Sequence, residues 1–107
     1  MVKRKSLRPA KEPNLMQKIR VALASGDYLD TVHASERQAE RNITAPEYEY
    51  VLKHGWHEAS KDRLDESYDA WNYAIRGRTL EQRELRVIVS FDPAGLLIIT
   101  VIDLEVA

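Results

Sequence analysis

LRVIVSFDPAGLLIITVI, Leu85 to Ile102, decides the fold. Leu85, Val87, Val89 and Phe91 alternate with Arg86, Ile88 and Ser90, the period of a strand with one buried face. Asp92-Pro93-Ala94-Gly95 follows as a tight hairpin connection, since these residue types supply a side-chain acceptor, a fixed φ and backbone freedom. Leu96 to Ile102 is apolar on both faces, as a central strand requires. Strands joined by so short a link run antiparallel. Upstream, Ala70 to Arg76 sets Trp71, Tyr73 and Ile75 against Asn72, Ala74 and Arg76, a third half-buried strand, and Gly77 to Gln82 turns the chain into the next. Trp56 to Ala59 reads as a further short strand, whereas Lys61 to Asp69 is charged and loop-like.

Before Gly55 the period is helical. Leu15, Ile19, Ala22 and Leu23 fall on one helix face, with Asn14 as cap and Ser25-Gly26-Asp27 as stop. Tyr28 to Val32 is short and β-prone. A second helix is expected over His33 to Asn42, capped by Thr31 or Asp30, with Val32, Ala39 and Ile43 on one side. Thr44-Ala45-Pro46-Glu47 spells a capping box with proline in the first turn. The third helix then carries Tyr48, Val51 and Leu52 toward the core and ends at His54-Gly55, glycine taking the left-handed position. The expected architecture is α+β: amino-terminal helices packed on one face of a three- to four-stranded, mainly antiparallel sheet.

A chain of 107 residues fits a single domain, expected over residues 14–107 behind a basic flexible arm, residues 1–13. Charge is uneven: residues 1–20 hold seven Lys or Arg against one Glu, so the rest is acidic although the net charge is only −1. An acidic body weighs against an ordinary strongly basic nucleic-acid-binding domain. The absence of cysteine excludes disulfides, thiolate ligands and a cysteine nucleophile, and is compatible with a cytoplasmic location. The longest largely apolar run, Ala94 to Ile102, is nine residues, far below the roughly 20 that span a bilayer. No apolar stretch follows the basic start, so no secretory signal and no membrane partner are expected.

For chemistry, the stretch VHASERQAERNIT, Val32 to Thr44, stands out. On a helix His33, Arg37 and Arg41 form one polar line, because residues four apart are neighbours. Histidine can exchange a proton near neutral pH and arginine grips phosphate in forked geometry, a combination suited to phosphodiester chemistry. Glu36 and Glu40 can instead pair with the arginines and leave His33 a cap. His54 and His57, with Glu58, straddle the glycine break at Gly55 and read as surface histidines; no metal and no cofactor is expected. Tyr68, Trp71 and Tyr73 are able to stack on bases, yet at strand spacing Trp71 and Tyr73 read as core. Arg76, Arg78, Arg83 and Arg86 cluster about a turn with acidic neighbours, the pattern of a solvated edge.

His33-Ala34, Arg37, Arg41 and Ile43-Thr44 carry a resemblance to a small bacterial domain-of-unknown-function family, number 4258. The likeness continues through Val51 to Gly55, Tyr73, Gly77-Arg78, Leu85-Arg86-Val87 and Ile98 to Val101. That family is similar to the RelE and BrnT class of toxins, whose fold sets helices against an antiparallel sheet and which includes metal-independent endoribonucleases. The resemblance implies that an RNA 2′-hydroxyl attacks the adjacent phosphate, with His33 as acid or base, Arg86 as phosphate stabiliser and Thr100 as a polar group on the central strand. Arg37, Arg41 and Tyr73 would then contact substrate, and an antitoxin-like protein would be the partner. The alternative reading is a non-catalytic protein-interaction module of the same fold.

Overall fold

The computed structural model describes residues 8–105. Its elements follow in the order α1 (Leu15–Ser25), β1 (Tyr28–Asp30), α2 (Val32–Arg41), α3 (Ala45–His54), β2 (Trp56–His57), β3 (Arg63–Asp65), β4 (Ala70–Arg78), β5 (Glu84–Asp92) and β6 (Gly95–Asp103). A single 3₁₀ turn, Ala59–Lys61, links β2 to β3. The architecture is α+β, with an open sheet of six strands in the order β1-β6-β5-β4-β2, β3 pairing with β4 beside β2. All pairs are antiparallel except β1, which runs parallel to β6. Three or four strands were expected; β2 falls within the short strand expected over Trp56 to Ala59, and the additional ones are the three-residue β1 and β3, too short to display an alternation. One of them, β3, lies inside the charged stretch read as loop.

The expected hairpin forms at Asp92 to Gly95, where the Asp92 Oδ1 accepts from the amides of Ala94 and Gly95, each at 2.9 Å. Register puts Tyr73 beside Val89 and Ile75 beside Val87, and across the hairpin Val87 beside Val101 and Val89 beside Ile98. This one face of the sheet is the core face. Ile98 and Val101 are an odd number of residues apart, so strict alternation would send one of them to the other side. A bulge resolves the conflict: Ile88 pairs with Thr100 and Val89 with Ile98, leaving Ile99 as an extra residue. Val101 thereby rejoins the core, and Thr100 goes to the opposite face with Ile88.

The core joins these strand residues to Leu15, Ile19 and Ala22 of α1, Ala34 of α2, Ile43, and Tyr48, Val51 and Leu52 of α3. The capping box of α3 is present as expected, Thr44 accepting from the Glu47 amide and Glu47 from the Thr44 amide. Thr31 caps α2 through the Ala34 amide at 3.1 Å. Asn14 makes no side-chain cap bond, and α1 stops at the left-handed Gly26. On α2 the inward residue is Ala34, not Val32 or Ala39: Ala34 is fully buried, whereas Val32 is 77% exposed. Half-buried Gln38 and Arg41 complete that face, so helical contact with β6 overrides the apolar pattern. Of the basic arm, residues 1–7 lie outside the described residues. Its last part lies along the sheet, the Trp71 indole donating to the Pro9 carbonyl at 2.8 Å and the Glu12 amide to the Tyr73 hydroxyl at 2.9 Å.

Gly55 ends α3 in an extended conformation, φ −83°, rather than the expected left-handed one. Its need for glycine comes from close approach: a Cβ there would run into the carbonyl oxygens of Arg76 and Val51. Gly77 faces it across the pair, where a Cβ would lie 3.0 Å from the Gly55 Cα. Gly55→Ala should therefore lower the unfolding free energy by about 1–3 kcal/mol through overpacking, measured as a lower urea midpoint at unchanged m-value.

Candidate functional site

The residues nominated from sequence fall into three places. His33 is exposed in the first turn of α2. Arg37 pairs with Glu40 at 2.7 Å, and Arg41 donates from Nη1 to the Val101 carbonyl on β6. Tyr73 is 3% exposed on the core face, its ring edge-on to His57 and Phe91. Arg86 and Thr100 lie on the other face of neighbouring strands, Arg86 opposite Ile102 and Thr100 opposite Ile88. The Thr100 hydroxyl is buried and has no hydrogen-bond partner among the described residues. The structure thus brings Arg86 and Thr100 onto one surface. No hydrogen bond or ion pair joins the α2 line to them among the described residues.

The chemistry on that open face centres on Glu58, which the sequence pattern set only beside the surface histidines His54 and His57. Between β2 and β3 the Ala59–Lys61 turn leaves the backbone of Ala74 without a strand partner on that side, although Ile88 of β5 pairs it on the other. The Glu58 amide donates to the Ala74 carbonyl at 2.8 Å, and the Ala74 amide donates to Asp62 Oδ1 at 2.9 Å. These bonds repair the ladder and fix Glu58 against the sheet. Its carboxylate then receives Arg86 Nε at 2.7 Å and Nη2 at 3.2 Å, a forked contact, together with Arg76 Nη1 at 3.1 Å. Arg76 and Arg86 are cross-strand partners, so their like charges sit side by side and need this anion. Arg76 also donates from Nε to Glu84 at 2.6 Å.

Glu58 is only 7% exposed, yet the Arg86 bonds outweigh burial and, with Arg76, hold its carboxyl below the usual carboxylate range. Arg76 likewise depresses Glu84. The site is therefore a pair of guanidinium cations bridged by the ionised Glu58, with Glu84 as a second carboxylate on Arg76. The same donors match a phosphate, and a phosphodiester would compete with Glu58 for them. The signal in the sequence was the alternation of β4 and β5, which places Arg76 and Arg86 on their polar faces. Nothing local announced that Glu58 would reach both.

Two other polar places are engaged in the fold. Asp62, its side chain wholly buried, ties Lys11 at 2.9 Å and His57 at 2.8 Å to the edge of β4. An open cavity of about 490 Å³ lies where the start of α3 meets the β4–β5 turn. Its charged groups Arg83 and Glu47 are already bonded, Arg83 to Asp103, to the Asn42 carbonyl and to Glu47, and Glu47 to the α3 cap. Among the described residues no group of three or more His, Cys, Asp or Glu side chains is placed to hold a metal ion, and no helix is long and apolar enough to cross a membrane.

A protein-family description, Domain of unknown function (DUF4258), matches residues 31–103, from the α2 cap to the end of β6. No curated protein matches the chain, and no solved structure does.

Replacing Glu58 by glutamine should cost about 2 kcal/mol of stability by unpairing Arg86. Because Glu58 is more acidic folded than unfolded, its contribution is complete above the ordinary carboxyl value of 4.5 and is lost as pH falls through the lower folded value. Urea titrations of the wild type and Glu58→Gln should show a constant stability gap from neutral pH down to about pH 5, narrowing below it.

Proposed function

Because the chain belongs to the domain-of-unknown-function family DUF4258, a name that carries no activity, we propose its function from the open sheet face: a toxin-like, metal-independent endoribonuclease of RelE-like fold, acting in the cytoplasm and restrained by an antitoxin-like protein. The observation that supports this reading is the convergence of the neighbouring Arg76 and Arg86 guanidinium groups on one anion.

In such a reaction the RNA 2′-hydroxyl loses its proton and attacks the adjacent phosphorus, the bond to the 5′-oxygen breaks as that oxygen takes a proton from solvent water, and a 2′,3′-cyclic phosphate and a free 5′-hydroxyl result. Charge builds on the phosphoryl oxygens, where fixed cations contribute most. Arg86 and Arg76 fill that role once the phosphate takes the place of Glu58. The displaced carboxylate, ionised at neutral pH, is then beside the phosphate and able to accept the 2′-hydroxyl proton. Thr100, on the neighbouring strand of the same face, has a buried hydroxyl without a partner among the described residues, which a phosphoryl or ribose oxygen would meet only where binding uncovers it. His33 and Arg37 lie along α2 as contacts for RNA beyond the scissile bond, while Arg41 serves mainly to hold β6.

One observation favours the second reading, a non-catalytic interaction module: Arg76 and Arg86 each already have a carboxylate partner. The two readings part in one assay. Purified protein incubated with RNA and excess EDTA should yield fragments ending in cyclic phosphate, and Arg86→Lys, which keeps the charge but loses the fork, should slow cleavage about tenfold or more at a temperature where circular dichroism shows the variant still folded. Intact RNA, together with normal growth of cells overproducing the protein, would leave the interaction module as the function.

A further inference from the structure

Trp56 lies in β2 with Arg76 as its register partner, so it shares the open face with Arg76, Arg86 and Glu58. It is 54% exposed. Its indole N–H has no hydrogen-bond acceptor, and no ring or cation stacks on it, among the described residues. The other tryptophan has the opposite status. Trp71 is half-buried, donates to the Pro9 carbonyl at 2.8 Å and is covered by the Lys11 ammonium 4.5 Å from its ring centre. One tryptophan is used by the fold and the other is left open at the rim of the arginine pair.

The backbone that presents Trp56 is rigid. The Gly55 amide before it donates to the Val51 carbonyl at 2.7 Å, and Gly55 packs directly on Gly77 of β4. Cations also gather there although the body of the chain is acidic. Arg20 donates to the Gly55 carbonyl at 3.3 Å, Lys53 stands exposed in the last turn of α3, and Arg78, next but one after Arg76, has a side chain 55% exposed that pairs with Glu84 at 3.5 Å and Glu105 at 3.9 Å. Trp56 and Arg86 are two strand spacings apart, roughly 10 Å, a distance one nucleotide can cover from base to neighbouring phosphate. An open indole beside a pair of arginines is the pairing that single-stranded nucleic acids meet, with the ring receiving a base and the cations the backbone.

We propose that Trp56 is the stacking platform for an unpaired base of a single-stranded RNA whose adjacent phosphate lies on Arg76 and Arg86. This rests on the endoribonuclease reading for its choice of ligand, and it names the residue that would hold the substrate in register. Sequence preference from such a contact is weak, because every base presents a π-face.

Binding can be measured apart from cleavage with a fluorescently labelled 2′-O-methyl oligouridylate, which lacks the attacking hydroxyl. Its affinity, read by anisotropy, should fall about tenfold in Trp56→Ala and return close to wild type in Trp56→Phe, which restores an aromatic face. Saturating oligonucleotide should also quench part of the tryptophan emission of the wild type, and that quenching should be absent in Trp56→Ala. Equal affinity in the wild type and Trp56→Ala, or no binding by the wild type, overturns the proposal. A protein that binds with this dependence on Trp56 yet leaves ordinary RNA intact keeps the stacking site and loses the endoribonuclease reading. One that cleaves RNA with Trp56→Ala binding unchanged does the reverse.

Discussion

Strand β6 has partners on both sides and still must keep an apolar face on the core, and the single extra residue at Ile99 is what reconciles these demands. Without it, Leu96 and Ile98 would face the core while Val101 faced away. With it, all three are buried, and the strand bends where β1 ends. Thr100 lands on the open face for the same reason. The core and the candidate site are thus two sides of one irregularity.

The bulge also sets what covers the edge of β6. β1 pairs only with Leu96 to Ile98, which leaves later carbonyls of β6 exposed on that side. Helix α2 takes over: the Thr31 amide donates to the Ile98 carbonyl at 3.1 Å, its hydroxyl to Ile99 at 3.3 Å, and Arg41 to Val101. At the far end Arg83 bonds Asp103 at 2.8 Å and the Asn42 carbonyl at 2.8 Å, with a further bond to the Arg41 carbonyl. A cation at the carbonyl end of α2 is favourable to the helix as well. The conspicuous arginine line of α2 therefore does partly structural service, and Arg41 most of all.

The open face is organised by a different requirement. Two arginines at opposed strand positions repel unless an anion lies between them. Glu58 is that anion because the turn after β2 must also mend the ladder at Ala74, so one residue serves backbone and side-chain needs together. A face built this way has its cations held in place before any ligand arrives. A phosphate could enter such a face only by exchange with a carboxylate, and would match it by engaging both guanidinium groups at once.

What the residues determined by themselves was local. The Thr44–Glu47 capping box, the stop at Gly26, the helical faces of α1 and α3, the alternation of β4 and β5 and the Asp92–Gly95 hairpin all depend on partners a few residues away, and all were legible. The parallel placement of β1, the β3 strand, the bulge at Ile99 and the inward turn of Ala34 were not. Each depends on hydrogen bonds or packing between segments distant in the chain, and no local pattern encodes a partner that far off. The site divides along the same line. Arg86 and Thr100 were singled out only through the family resemblance, and that they share a face with Arg76, Glu58 and Trp56 was decided by the register of strands that meet after folding.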